Sequence, residues 1–116
     1  MVKDKLRIKD ILNSIHNIGV FLEGKYYEDL EGSMLLKSAV MAQLMIIGEA
    51  AKNVSEKTKE KYEDIEWKKA SSMRDILIHE YFGVEWEIVW DTIKEDLPIL
   101  EAKLQEIYEE TSNDKD

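Results

Sequence analysis

The 116-residue chain has no cysteine, one proline, five glycines and two histidines, and its 16 lysines and arginines are outnumbered by 25 aspartates and glutamates. Without cysteine there is no disulfide framework, no thiolate zinc site and no cysteine nucleophile, which suits a reducing compartment. Scarce proline and glycine leave little material for the tight turns of an all-β fold. Ala, Leu, Lys, Glu, Met and Ile prevail instead over the β-branched and aromatic mixtures that fill sheets. A formal charge of −9 disfavours a general basic nucleic-acid binder, because phosphate contacts supply most of the affinity of such proteins, and any RNA site has to be locally positive. The amino end, Met1-Val2-Lys3-Asp4-Lys5, leads straight into a charged amphipathic stretch without the apolar core and cleavage site of a signal peptide, so a cytoplasmic location is expected.

What is present is 44% apolar and 35% charged, the balance of one soluble helical domain over residues 1–116. Ile8, Ile11, Ile15, Ile18 and Leu22 follow steps of three and four, one stripe of a helix that Gly24 ends. Met34 to Ala51, capped by Ser33 or Asp29, is apolar on two faces, with Leu36, Val40, Ile47 and Ala51 on one and Leu35, Ala39, Ala42 and Ile46 on another. Such a helix needs two neighbours. Lys37, Gln43 and Glu49 inside it argue against a membrane span and for a central bundle helix, or one shared with a second subunit. Lys52 to Glu66 is Lys/Glu-rich with no apolar face, an extension of that helix or an exposed connection. A third helix is expected from Trp67 through Ile78, closed by Tyr81-Phe82-Gly83. The last apolar series, Trp86, Trp90, Ile93, Leu97, Leu100, Leu104 and Ile107, stays in phase across Pro98 and predicts a kinked helix or two in line. Residues 111–116 form a polar, frayed tail. The expected fold class is all-α, an antiparallel four-to-five-helix up-and-down bundle that dimerises through its helices.

Only His16 and His79 can serve as a general acid or base near neutral pH. His16 has no acidic partner at i+3 or i+4 and reads as structural or exposed. His79 lies in Arg74-Asp75-Ile76-Leu77-Ile78-His79-Glu80-Tyr81, which gathers a fixed cation, a carboxylate, an imidazole and a phenol. Asp75 is four residues from His79 and can orient its ring. Arg74 and His79 are separated by about 140° around an ideal helix and about 7.5 Å along it, so one helix alone makes a poor site and convergence with a second copy is favoured. Lys68, Lys69 and Arg74, with Lys52, Lys57, Lys59 and Lys61, form either a positive rim or a solvated surface interleaved with Glu56, Glu60 and Glu63. Glu49 is either a partner for Arg74 or a peripheral polar residue.

The spacing Arg-x-x-x-x-His-x-Tyr, here Arg74, His79 and Tyr81, resembles the motif of the HepT-like group of HEPN ribonucleases. The likeness extends to Ile46-Ile47-Gly48-Glu49-Ala50, Ile65-Glu66-Trp67, Met73-Arg74-Asp75, His79-Glu80-Tyr81-Phe82-Gly83, Val89-Trp90 and Leu97-Pro98, covering about residues 5 to 105. Asp75 stands where asparagine is also common, and either can hydrogen-bond a neighbour. The resemblance implies a homodimeric endoribonuclease, the toxin of a type VII toxin-antitoxin system, cutting RNA by 2′-hydroxyl attack with neither metal nor cofactor. It implies Arg74 and His79 as catalytic residues lining a cleft between subunits, with Asp75 orienting. It further implies Tyr81 as the acceptor of adenylyl groups from a cognate minimal nucleotidyltransferase antitoxin. Neither a membrane nor DNA is expected as a partner. The alternative is a non-catalytic nucleotide- or partner-binding subunit of a nucleotidyltransferase complex; a structural dimer without ligand is a third reading.

Overall fold

The isoleucine stripe near the amino end becomes α1 (Val2–Leu22) in the computed structural model, which describes residues 2–79 and 83–112. Ile8, Ile11, Ile15, Ile18 and Leu22 are all buried. Gly24 stops the helix with φ 73°, a left-handed conformation glycine adopts without a Cβ penalty, and the Lys25 amide donates to the Leu22 carbonyl at 2.9 Å. The polar stretch that follows holds a one-turn helix, α2 (Tyr27–Glu31). Asp29 belongs to this helix, accepting from the Tyr26 amide at 2.7 Å. The cap of the next helix, α3 (Met34–Lys52), is therefore Ser33, whose hydroxyl accepts from the Leu36 amide at 3.1 Å.

By length and composition α3 is apolar enough to cross a bilayer, but in this fold it lies between α1 and α5 (Trp67–His79), its two main packing partners. Val40, Leu44, Ile47, Gly48, Ala50 and Ala51 are buried. The opposite side keeps Leu35, Ala42, Met45 and Ile46 exposed. Two neighbours thus cover one side of the helix and leave a second apolar stripe open.

The expectation that Lys52 to Glu66 has no apolar face is corrected. Ser55 caps a short helix, α4 (Glu56–Lys61), and Val54, Thr58 and Ile65 are buried. A Lys/Glu-rich composition hides this anchoring because three widely spaced residues suffice to pin a short connection. Asp4 fastens it from the other side. Its carboxylate accepts from the Ser55 amide at 2.9 Å, the Ser55 hydroxyl at 2.6 Å and the Thr58 hydroxyl at 2.5 Å. Burial opposes ionisation of Asp4, yet these hydrogen bonds prevail and hold its pKa below the usual carboxylate value.

The carboxyl-terminal region comprises α6 (Trp86–Asp91), a π-helical turn (Thr92–Asp96) and α7 (Leu97–Ser112). Pro98 has no amide hydrogen to complete the ladder, and the wider turn before it absorbs the break without losing the apolar phase. Val89, Ile93, Leu97, Leu100, Leu104 and Ile107 are all buried. The helix runs two residues into the expected tail, and residues 113–116 lie outside the described part. Among the described residues every regular element is helical, so the all-α class holds.

Candidate active site

The contact between α3 and α5 is set by a missing side chain. A Cβ placed on Gly48 would lie 2.6 Å from the Arg74 amide nitrogen, 2.7 Å from its Cβ and 3.1 Å from its Cα. All three are rigid helical atoms, so only glycine lets the two backbones approach this closely. Along α5, Trp67, Ala70 and Met73 point into the core, and the Trp67 indole donates to the Tyr62 carbonyl at 3.0 Å. Fixing Met73 inward leaves Arg74 at the margin of the core and Asp75 exposed.

Glu49, one residue beyond the glycine, completes the contact. Its Oε2 lies 2.8 Å from Nε of Arg74, with the two side chains 53% and 32% exposed respectively. Of the two sequence readings of Glu49, partner or peripheral residue, the structure selects the partner. The Asn53 amide group donates to the Glu49 carbonyl at 2.8 Å and reaches toward Oε1 at 3.5 Å. Leu35, Ala42, Met45, Ile46 and Glu49 share one exposed side of α3, so the pair sits at the end of the open apolar stripe.

Charge on α4 and at the start of α5 is mixed. Lys69 lies 3.3 Å from Asp96 and 3.8 Å from Glu66, and Lys59 lies 3.8 Å from Glu56. Lys59, Lys68 and Lys69 line an open groove beside the start of α5, against Glu63 and Glu66. This is a small local positive excess on an acidic chain. Among the described residues no group of three or more His, Asp or Glu side chains is placed to hold a metal ion. His16 is exposed and lines a separate groove between α1 and α7 with Glu101 and Lys94.

His79 is the last residue of α5. Its side chain and the whole of Tyr81 lie outside the described residues, so the structure brings together Arg74 and Glu49 and bears on Asp75 only through its exposure. Sequence reasoning passed over the role of Gly48. Its signal was available, since a glycine in the middle of a long helix costs about 1 kcal/mol relative to alanine and calls for a packing reason.

An all-helical chain with this arginine at a helix contact belongs to the family of HepT-like ribonucleases: a family model described as "Ribonuclease HepT-like" matches residues 11–107. The chain is 40% identical over 99% of its length to the "Gamma-glutamylcyclotransferase and putative RNase" of Methanocaldococcus jannaschii, and spans 52% of that protein, about half. It is 42% identical over 76% of its length to the "Putative RNase" of Caldanaerobacter subterraneus subsp. tengcongensis, of which it spans 79%. It is 38% identical over 86% of its length to the "Probable ribonuclease HepT" of Thermococcus cleftensis, of which it spans 91%. No solved structure matches the chain.

Proposed function

We propose that the protein is a metal-independent endoribonuclease working as a homodimer in the cytoplasm, the toxin of a type VII toxin-antitoxin pair. The observation that carries this reading is Arg74, a permanent cation seated by Gly48 and gripped by Glu49 at the edge of the fold, in a chain similar to proteins named as RNases. A ribose 2′-oxygen attacks the neighbouring phosphorus while an imidazole takes its proton. The bond from phosphorus to the 5′-oxygen breaks as a second imidazole protonates that oxygen, leaving a 2′,3′-cyclic phosphate and a 5′-hydroxyl. His79 and its copy across a two-fold axis supply the two imidazoles, and the Arg74 fork stabilises charge on the non-bridging oxygens. DNA lacks the nucleophile and is not a substrate.

The four long helices are read as an up-and-down bundle that pairs through α3. Leu35, Met45 and Ile46 are 80%, 40% and 44% exposed, and a second copy seated on that stripe lies beside Arg74. Tyr81 is the proposed regulatory site, where adenylylation by a cognate minimal nucleotidyltransferase adds bulky anions that block RNA. With that enzyme, ATP and magnesium, intact mass rises by adenylate units, and Tyr81→Phe prevents it. The decisive experiment is RNA cleavage in EDTA with mass analysis of the ends. Cyclic phosphate termini are expected, and Arg74→Ala or His79→Ala lowers the rate about a thousandfold with the bundle still folded. Undiminished cleavage in both variants rejects the reading. Co-purification with a nucleotidyltransferase together with no cleavage of any RNA selects the binding-subunit alternative.

A further inference from the structure

The Glu49–Arg74 pair is poorly explained as a fastening for the fold. Gly48 already brings the two backbones into contact, and ion pairs as exposed as this one contribute little to stability. The contact instead falls on Nε, the inner nitrogen of the guanidinium, at 2.8 Å. A guanidinium is planar and offers more than one edge to acidic groups. With a carboxylate on Nε, the outer edge formed by the two terminal nitrogens is turned away from that carboxylate, and it has the spacing to hold two phosphate oxygens at once.

We infer that Glu49 is a positioning residue of the ribonuclease site, acting through Arg74 to fix which edge of the guanidinium meets the scissile phosphodiester. The inference rests on the ribonuclease reading above. A long arginine side chain has several torsions to immobilise, and orienting it before RNA arrives removes that cost from the reaction. The same carboxylate repels the RNA polyanion, so Glu49 weakens substrate binding while raising the rate of the bound complex. A residue serving only the fold has no reason to raise turnover while weakening affinity, that is, to raise kcat and KM together.

The test measures kcat and KM for one RNA oligonucleotide with wild-type protein, Glu49→Ala, Glu49→Gln, Arg74→Lys and the Glu49→Ala/Arg74→Lys double variant, each with its thermal midpoint. Glu49→Ala is expected to lower kcat about 10- to 100-fold and to lower KM as well. Glu49→Gln keeps an amide oxygen that accepts from Nε without the charge, so it regains most of kcat and retains the lowered KM. In the lysine background, removing Glu49 costs less than about twofold, because its route to the phosphate is gone. A kcat within twofold of wild type for Glu49→Ala, an equal loss in both backgrounds, or a loss that tracks the unfolded fraction overturns the role. Folded wild-type protein that leaves all RNA intact overturns the ribonuclease reading and this role together, whereas active wild type with an unaffected Glu49→Ala overturns this role alone.

Discussion

Asp4 and Glu49 each bind one of this protein's helices to another, and they do so differently. Asp4 is buried and receives three hydrogen bonds from Ser55 and Thr58, 51 and 54 residues away. Glu49 is half-exposed and meets Arg74 at Nε. A buried carboxylate surrounded by donors is fully engaged in holding the chain together, and removing it strands the donors. Where the carboxylate and its cation both face solvent, the stability at stake is small and the cation keeps donors for a ligand. On the proposed reading, the contrast separates a joint that keeps the fold from a joint that readies a group for chemistry.

Swapping the expected consequences would break that contrast. Asp4→Ala is expected to cost about 2–4 kcal/mol, because buried donors lose a charged acceptor, while the activity of the remaining folded protein stays near wild type; urea unfolding and an active-fraction assay check this. Because the folded pKa of Asp4 is depressed, its contribution is complete above its unfolded value near 3.8 and disappears as pH falls through the folded value. The thermal midpoint of wild type therefore drops with acid more steeply than that of Asp4→Asn, and parallel curves would remove Asp4 from the account. Gly48→Ala joins the two kinds of effect. The new methyl forces α5 back by about 1 Å to reach ordinary contact distance, and helix propensity returns about 1 kcal/mol of the strain. A net loss of about 1–2 kcal/mol is expected, together with reduced RNA cleavage, since the atoms displaced are those of Arg74 itself. Lys69→Met, which removes the exposed contacts to Glu66 and Asp96, should change stability by less than about 1 kcal/mol.

The periodic parts of the molecule were legible before the structure. The stripes of α1 and α7, the two apolar faces of α3 and the stop at Gly24 follow from spacing, because a helix that buries one side must repeat every three or four residues. Short elements fixed by few contacts were not. α4 hangs on Val54, Thr58 and Ile65, too sparse to show a period, and Asp4 acts across 51 residues of sequence where spacing carries no information. Of the proposed site residues Arg74, His79 and Tyr81, whose order is plain in the sequence, the structure bears on Arg74. The Glu49–Arg74 pairing was visible only as one of two options, since it depends on how closely α3 and α5 approach, and that distance is set by a glycine.

The π-helical turn before Pro98 has a consequence for anything built upstream of it. Such a turn holds one residue more than a regular α-helical turn, so it works as a phase adjuster between α6 and α7. Winding all five residues of Thr92–Asp96 into regular α-helix, with none deleted, would swing everything before it by about 100°. Trp90 would then leave its edge-on seat against Tyr27, 6.0 Å between ring centres. The irregular turn therefore acts as a rotational coupling, setting the direction in which α6 presents its tryptophans to the rest of the molecule.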